Sequence, residues 1–366
     1  MKHEDIWKRL TVRLYRPGDE KGIVDLYNVV FDADRTIEQW RWEFCDLPSG
    51  YAAVAVADLD GTLVGQYSAL VQRLTFFGGE IARFHTVDVM VHPEFRRHGI
   101  LTRAANFGFD TFGPCIGIGH GFPTMIHYNF GIRKLGYHKI CFFPKYFLPL
   151  TASAFVPFLS NPSLLPVLRT LGFLPYWILT RTRKKPKPLS DVDIVSVHAF
   201  GEEADRFWEH ACTTAPIMGV RDRAFFNWRF LRRPGTPYSV FAARRNHELL
   251  GVVALSIHAL RNLKVGIIDD LLAIEDSNNE SIVYALLDHA VSFFRTHGVD
   301  RVNVRMLCPK YQRMLLRYGF IRYPSDKVIV ARSFKPYVQV PELCNPRNWF
   351  LTIGDTDWYT IRRYSG

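Results

Sequence analysis

Arginine, histidine and glycine are concentrated in one short stretch of the sequence, VHPEFRRHGILTRAA at residues 91–105. It offers three basic side chains, a glycine and a hydroxyl group, at Arg96, Arg97, His98, Gly99 and Thr102. A glycine lets the backbone approach a ligand closely, and the unpaired N–H groups at the start of a helix attract phosphate. The stretch therefore indicates a site for a phosphate or pyrophosphate group. It follows neither the Walker A pattern nor the dinucleotide-binding pattern GxGxxG.

This basic stretch joins a predicted strand to a predicted helix. In the preceding residues, FHTVDVMV at 84–91, valine alternates with other residues, which is typical of a strand. Pro93 cannot continue the strand, because it has no N–H for the sheet. Apolar residues then recur at helical spacing, at Ile100, Leu101, Ala104, Ala105 and Phe107. The basic residues are thus predicted to lie at the N-terminus of a helix.

The sequence contains two related halves about 186 residues apart. Their order of predicted elements is the same: a helix-rich opening, a hairpin, a strand, a helix, a strand, a helix and a strand that begins with glycine and an aromatic residue. The matching segments are EQWRWEF (38–44) with AFFNWRF (224–230), AVADLDGTLVGQYSAL (55–70) with AARRNHELLGVVALSI (242–257), TVDVMV (86–91) with IIDDLLA (267–273), which aligns Asp88 with Asp270, and IRKLGYHKI (132–140) with LLRYGFIRY (315–323).

The duplication predicts an α+β protein of two domains, at residues 1–150 and 191–366, with a linker at 151–190. The copies differ at the basic stretch, because PEFRRHGILTRAA in the first is replaced by EDSNNESIVYALL (275–287) in the second. Acidic residues there would repel an anion. We therefore expect the second domain to be a scaffold or a wall of the substrate site.

Composition narrows the class of protein. The net charge is +11 and the sequence pI about 9.4, which indicates an anionic partner or, as the alternative, an excess of solvated lysine. The six cysteines form no CxxC pair or zinc-site spacing, and the opening MKHEDIWKRL has no signal-peptide character. Reduced thiols and a cytoplasmic location are expected.

An uncharged segment at 146–168 precedes a basic run at 181–188. Prolines divide the uncharged segment, which favours a buried strap between the domains followed by a solvated linker. The alternative is weak contact of residues 146–188 with a membrane surface, through an apolar anchor and a polybasic neighbour.

The strand, the VHPEFRRHGI turn and the helix resemble motif A of the GCN5-related N-acetyltransferases, whose pattern is [QR]xxGx[GA]. Arg96 and Gly99 fit the pattern, and Leu101 replaces its usual small residue. The DGTLVG hairpin (60–65) and the KLGY segment (134–137) lie where that fold has them. The second half resembles the same fold with a degenerate motif A. The resemblance implies two tandem domains, each with a mixed, mostly antiparallel central sheet flanked by helices.

The resemblance also implies a co-substrate, acetyl-CoA or another acyl-CoA, and no metal. The CoA would lie between the strand that ends at Val91 and the strand CIGIGHGF (115–122). The backbone of Val89, Met90 and Val91 would pair with its pantetheine arm. The residues implied for the pyrophosphate are Arg96, Arg97, His98, Gly99, Ile100, Leu101 and Thr102.

Three side chains are candidates for catalysis of acyl transfer to an amine. Asp88 is expected on the strand face opposite the valines, as the base or as a group that binds the amine or caps a neighbour. His120 lies between two glycines at the end of the second strand, as a base or as a structural histidine. The family commonly has a tyrosine acid four residues before the closing glycine, where this chain has Ile132. Tyr128 or water is the expected substitute.

The leading hypothesis is an acyl-CoA-dependent N-acyltransferase acting on a primary amine of a small molecule. The segment NWFLTIGDTDW (348–358) resembles bacterial tandem acetyltransferases linked with amino-sugar pathways, so an amino sugar or an amino-acid-like metabolite is the expected acceptor, and no nucleic acid is expected. One alternative is a Fem-type transferase that uses aminoacyl-tRNA, which would account for the positive charge. The other is a non-catalytic module that binds acyl-CoA.

Overall fold

A computed structural model describes residues 3–48, 51–158, 189, 191–260 and 262–357. The first half of the chain contains, in order, α1 (His3–Arg9), β1 (Leu10–Leu14), α2 (Glu20–Phe31), α3 (Ile37–Phe44), β2 (Ala52–Leu59), β3 (Thr62–Phe76), β4 (Gly79–Val91), α4 (Ile100–Phe112), β5 (Ile118–Gly121), α5 (Met125–Lys134), β6 (His138–Phe142) and β7 (Lys145–Pro149).

The second half repeats this alternation of helices and strands. It contains β8 (Asp193–Ser196), α6 (Glu203–Ala211), β9 (Ile217–Gly219), α7 (Arg223–Phe226), β10 (Ser239–Arg245), β11 (Glu248–Leu260), β12 (Leu263–Ala273), α8 (Asn279–Thr296), β13 (Arg301–Leu307), α9 (Pro309–Tyr318), β14 (Ile321–Tyr323), β15 (Val328–Ser333), α10 (Val340–Cys344) and β16 (Trp349–Thr352). The mixed α+β class predicted from the sequence is confirmed.

The described residues divide into two compact units. Unit 1 comprises those within Met1–Phe142, Arg233–Gly235 and Lys327–Pro346, and unit 2 comprises the others. The sheet of unit 1 has the strand order β1-β2-β3-β4-β5-β15-β6. The sheet of unit 2 contains the matching order β8-β10-β11-β12-β13-β7-β14. In each order the fourth and fifth strands are parallel and the other pairs are antiparallel.

Each unit takes its sixth strand from the other half of the sequence. In unit 1, β15 pairs with β5 and with β6, and its Val328 and Val330 are buried in the core. In unit 2, β7 pairs with β13 and β14. The predicted domains, 1–150 and 191–366, are each continuous in sequence. They therefore assign β7 to the first domain and β15 to the second, whereas β7 belongs to unit 2 and β15 to unit 1. The predicted linker lies mostly outside the described residues.

The uncharged segment begins as a strand of unit 2. Residues 146–149 belong to β7 and are buried, and a 3-10 helix follows at Ala152–Phe158. The remainder, 159–168, and the basic run at 181–188 lie outside the described residues. Within the described ranges, no helix combines the length and the hydropathy that a membrane crossing requires.

Corresponding contacts in the two units support the alignment of the two halves. A Cβ atom on Gly65 would lie 2.9 Å from Cγ2 of Ile100 in α4, and one on Gly251 would lie 2.9 Å from Cδ1 of Leu286 in α8. In each unit the glycine thus lets its strand approach a helix closely. The pair is β3 with α4 in unit 1 and β11 with α8 in unit 2. The hairpins before these strands also match, since each turns through two residues with positive φ, Asp60–Gly61 and Asn246–His247.

Candidate functional site

The predicted basic turn joins β4 to α4. Pro93–Phe95 forms a single 3-10 turn after the strand, and Arg97 and Gly99 have positive φ values of 69° and 75°. Gly99 is the N-cap of α4 in the left-handed conformation, directly before the right-handed residues of the helix. Successive residues of opposite hand direct their N–H groups into a common concavity that binds anions. The backbone of this turn is therefore shaped for a phosphate group.

A glycine is required at residue 99 for two reasons. The first is its left-handed backbone, which other residues rarely adopt. The second is contact with α1, because a Cβ atom there would lie only 3.3 Å from Cζ2 of Trp7. The guanidinium of Arg103 lies 5.2 Å from the Trp7 ring. The indole thus packs against the turn that the sequence analysis singled out.

The predicted phosphate-binding residues differ in what their side chains do. Arg96 and Arg97 are exposed, and Nε of Arg96 donates a hydrogen bond to the Val91 carbonyl over 3.3 Å. His98, Leu101 and Thr102 are half-buried, whereas the Ile100 side chain is buried in the core. The N–H of Arg103 is bonded to the Gly99 carbonyl, so residues 100–102 begin the helix with N–H groups that have no intrahelical acceptor.

Strand β4 continues to Val91, beyond its last pair with the shorter strand β5. Their parallel pairs are Arg83 with Ile118, Phe84 with Gly119, and His85 with His120. Beyond His85 no described strand pairs with this edge of β4, which includes Val89, Met90 and Val91. The free edge of β4, with the gap beside it that β5 does not fill, can accept an extended ligand as an added strand does.

His120 and His85 form the narrow end of this gap. Both are buried, and their ring centroids are 4.7 Å apart. Burial, with a smaller contribution from the positive charge of Arg83, lowers the pKa of His120 well below the ordinary value of 6.5. The imidazole is therefore neutral at physiological pH, which is the form that accepts a proton.

Asp88 lies at a bulge of β4, which the alternation of the sequence did not predict. The register with β3 shifts between Gln66 and Ser68, and Asp88 has a positive φ of 48°. The expectation that Asp88 projects opposite three regularly alternating valines is therefore wrong, because a bulge adds one residue and breaks the alternation. Val87 is buried and Val89 packs against the core of unit 1.

The Asp88 carboxylate forms a buried ion pair with Arg35, which also pairs with Glu43. The Arg35 guanidinium lies 4.7 Å from the Tyr27 ring and 5.5 Å from the Phe44 ring. Burial opposes the charge of Arg35, but the two carboxylates outweigh it and raise its pKa. The buried guanidinium of Arg35 thus holds the Asp88 carboxylate in place.

The same arrangement occurs in unit 2. Asp270, the counterpart of Asp88, accepts a 3.0 Å hydrogen bond from Arg221, which pairs also with Asp355. Arg35 and Arg221 each stand seven residues before the aligned tryptophans, Trp42 and Trp228. Our reading of the sequence did not single out these arginines, although comparison of the two halves at that spacing would have found them.

Tyr128, the predicted substitute for the missing tyrosine acid, lies on α5. Its side chain is half-buried and packs against the core of unit 1, as does that of Ile132. The N-cap of this helix is Thr124, whose hydroxyl lies 3.1 Å from Nδ1 of the neighbouring His127. Burial and the charge of Arg96 lower the pKa of His127.

In unit 2, the carboxylates of the corresponding turn bond to its own backbone and to neighbouring side chains. The Asp276 carboxylate accepts a 2.8 Å hydrogen bond from the N–H of Asn278, the N-cap of α8. Glu275 pairs with Lys310 and accepts a hydrogen bond from Thr214. Carboxylates thus occupy the position that basic side chains have in unit 1. Within the described ranges, no group of three or more histidine, cysteine or acidic side chains is arranged for a metal ion.

Comparison with known proteins identifies the fold. Residues 11–112 match a family model described as the acetyltransferase (GNAT) domain. No curated protein matches the sequence. A crystal structure of a probable N-acyltransferase from Enterococcus faecalis is similar over 89% of this chain and 73% of its own, with 14% identity and a TM-score of 0.62.

Two further solved structures share the fold at similar levels. One is a GCN5-related N-acetyltransferase from Anabaena variabilis, with 11% identity, a TM-score of 0.61 and coverage of 89% of this chain and 73% of that one. The other is the Saccharomyces cerevisiae N-myristoyltransferase with bound myristoyl-CoA and inhibitors, with 13% identity, a TM-score of 0.55 and coverage of 91% and 83%. The resemblance to GCN5-related N-acetyltransferases that motif A indicated is confirmed.

Proposed function

We propose that this protein is an acyl-CoA-dependent N-acyltransferase that moves an acetyl or other acyl group to a primary amine of a small molecule. One observation carries the proposal: the edge of β4 that β5 leaves unpaired leads along the chain into the phosphate-shaped turn at Gly99. A CoA thioester has both features that this geometry suits, a pyrophosphate and an extended pantetheine arm that pairs with a strand edge.

In this proposal the pyrophosphate binds to the N–H groups at the start of α4 and to Arg96 and Arg97, which are exposed beside them. The pantetheine arm runs along the free edge of β4 at Val89–Val91 toward His85 and His120. The thioester then lies near the last pair of β4 with β5. Holding the thioester and an amine together converts the reaction into an effectively unimolecular step.

The reaction is direct attack of a neutral amine on the thioester carbonyl carbon. A C–N bond forms, the C–S bond breaks and the electron pair leaves with sulfur. The amine nitrogen loses one proton and the sulfur gains one. We assign the acceptance of the amine proton to His120, whose neutral imidazole lies at the narrow end of the gap. Asp88 is the weaker candidate, because Arg35 already occupies its carboxylate.

Release of free thiol from acyl-CoA tests the proposal. Acetyl-CoA and longer acyl-CoA esters are incubated with the full chain and with a panel of amino sugars, amino acids and their derivatives. We expect thiol release that depends on both the protein and one class of amine, with the matching amide as product. Aminoacyl-tRNA serves as the competing donor, and transfer from it without transfer from acyl-CoA would contradict the proposal in favour of a Fem-type enzyme.

A second candidate function is a module that binds acyl-CoA without turnover. It is favoured by Ile132, which stands where the family commonly has a tyrosine acid. Binding of CoA measured by calorimetry, together with no thiol release for any amine in the panel, would support this module over the enzyme.

A further inference from the structure

The hairpin between β3 and β4 ends in a pair of phenylalanines. The two strands stay paired up to Phe76 and Gly79, so that Phe77 and Gly78 alone form the turn. Phe77 is 47% exposed, and the Phe76 ring contacts it edge-on, with the two centroids 5.0 Å apart. The tip of the hairpin therefore presents an aromatic surface to its surroundings, beside two glycines that have no side chains to cover it.

The backbone of this turn disfavours an aromatic residue. Phe77 and Gly78 have φ values of 48° and 86°, both positive, as the central residues of a type I′ turn require. Glycine, asparagine and aspartate adopt such angles most readily, whereas a bulky side chain there is strained. The hairpins at Asp60–Gly61 and Asn246–His247 follow this preference, since aspartate and asparagine occupy the position that Phe77 has here.

Neither the packing of the tip nor the proposed chemistry accounts for Phe77. No described atom lies within 4 Å of a Cβ atom built on Gly78, so the turn is open on that side. The last pair of β4 with β5, at His85, is six residues away along the strand, which is about 20 Å. A strained residue with an exposed apolar side chain, far from the site, indicates a partner outside the chain.

The size of the tip favours a lipid surface over a protein as that partner. Two phenylalanines bury about 150–250 Å² each, whereas a stable protein interface takes about 800 Å² from each partner. Arg73 and Glu80, just behind the tip, are exposed and form an ion pair over 2.8 Å. The apolar surface thus ends within a few residues, at a depth that suits the interfacial layer of a membrane, where aromatic side chains are enriched.

We propose that this hairpin tip, Phe76–Gly79, inserts Phe77 into the headgroup region of an anionic lipid surface. The net charge of +11 attracts the protein to such a surface, and the aromatic tip then anchors it. Pairing of the strands up to the turn satisfies their backbone groups, which entry into apolar surroundings requires. The inference is independent of the proposed function, and it concerns residues other than the segment at 146–188.

Phe77→Asn tests the inference, because asparagine suits the turn but removes the aromatic ring. The full chain is sedimented with vesicles of equal parts phosphatidylserine and phosphatidylcholine, and with vesicles of phosphatidylcholine alone. We expect the wild type to bind the mixed vesicles more tightly than the neutral ones. Phe77→Asn should bind the mixed vesicles about tenfold or more weakly, since burial of one phenylalanine contributes at least that much. Its melting temperature should not fall.

The matched control is Phe142→Asn. Phe142 is 46% exposed at the end of β6, outside the hairpin, and its replacement should leave vesicle binding unchanged. The inference is overturned if the wild type does not bind the mixed vesicles, if Phe77→Asn binds them as the wild type does, or if both variants lose binding equally. A dimer that Phe77→Asn abolishes, without vesicle binding by the wild type, would assign the tip to a second copy of the chain instead. None of these results depends on CoA binding or thiol release, so the proposed function is tested separately.

Discussion

Duplication provides a control for individual side chains. Only unit 1 has the basic turn, so only unit 1 is proposed to bind CoA. A residue that recurs in both units therefore serves the fold, whereas a residue found only in unit 1 is a candidate for chemistry. The ion pair of Arg35 with Asp88 recurs as Arg221 with Asp270. His120 does not recur, since β13 has Asn303 at the equivalent place in its pairing with β12. The comparison separates two candidates that the sequence alone left side by side.

We predict that Asp88→Asn acts on stability, with Asp270→Asn as its matched control. Removing one partner of a buried ion pair costs on the order of 3 kcal/mol, and Arg35 and Arg221 are both buried. Thermal unfolding should therefore show a lower melting temperature for both variants. Turnover per folded molecule of Asp88→Asn should stay close to the wild type. A variant that keeps its melting temperature but loses about 10²-fold in turnover would identify Asp88 as the base instead.

His120→Asn introduces the residue of unit 2 and tests the lowered pKa of this histidine. Because the folded state holds the pKa of His120 below its ordinary value of 6.5, the unfolded chain binds a proton there more readily below about pH 6.5. The free energy of unfolding of the wild type should therefore fall on acidification, by up to about 1.4 kcal/mol per pH unit from this group. Denaturant unfolding from pH 7 to pH 5 should show a shallower fall for His120→Asn.

Activity provides the second readout of the same variant. If His120 accepts the amine proton, His120→Asn should lower turnover by about 10²-fold. In the wild type, the titration of His120 should not change the rate above pH 6.5. Parallel stability curves of the two proteins would contradict the buried, neutral imidazole. Unchanged turnover would contradict only the role as base.

At the scale of elements, local signals were sufficient for the site's outline. Alternation predicted β4, Pro93 predicted its end, and helical spacing predicted α4, which the structure confirms at Gly79–Val91 and Ile100–Phe112. The bulge at Asp88 was not predicted, because valines continue to alternate in the sequence at 87, 89 and 91 although the pairing register with β3 shifts there. The pairing of β15 with β5 was also missed, since contacts between segments about 200 residues apart carry no local signal.

Gly99→Ala tests the turn between β4 and α4. Alanine at a φ of +75° is strained, and its Cβ would crowd Trp7, so the N–H groups of the turn would be displaced. We predict that CoA affinity falls by about tenfold or more, equivalent to at least about 1.4 kcal/mol. Gly78→Ala is the matched control, because Gly78 has a φ of +86° in a hairpin with nothing within 4 Å of its Cβ position. Equal affinities of the two variants, measured by calorimetry, would contradict the assignment of the turn.

At the scale of the whole molecule, the sequence predicted two copies of one fold, and the structure adds how each copy is completed. Both units contain a run of seven described strands in the same order, and each run takes its sixth strand from the other half of the sequence. A fragment of residues 1–150 therefore lacks β15, with its buried Val328 and Val330. The predicted boundaries identified the repeat but could not identify this dependence, because a strand's partners are set by the assembled sheet.

We infer that one of the two copies binds CoA. Isothermal titration of the full chain with CoA tests it most directly, because the stoichiometry counts the sites regardless of the acceptor amine. We predict one CoA per chain, since the basic turn of unit 1 is replaced in unit 2 by Glu275 and Asp276. Two CoA molecules per chain, or no binding, would contradict it.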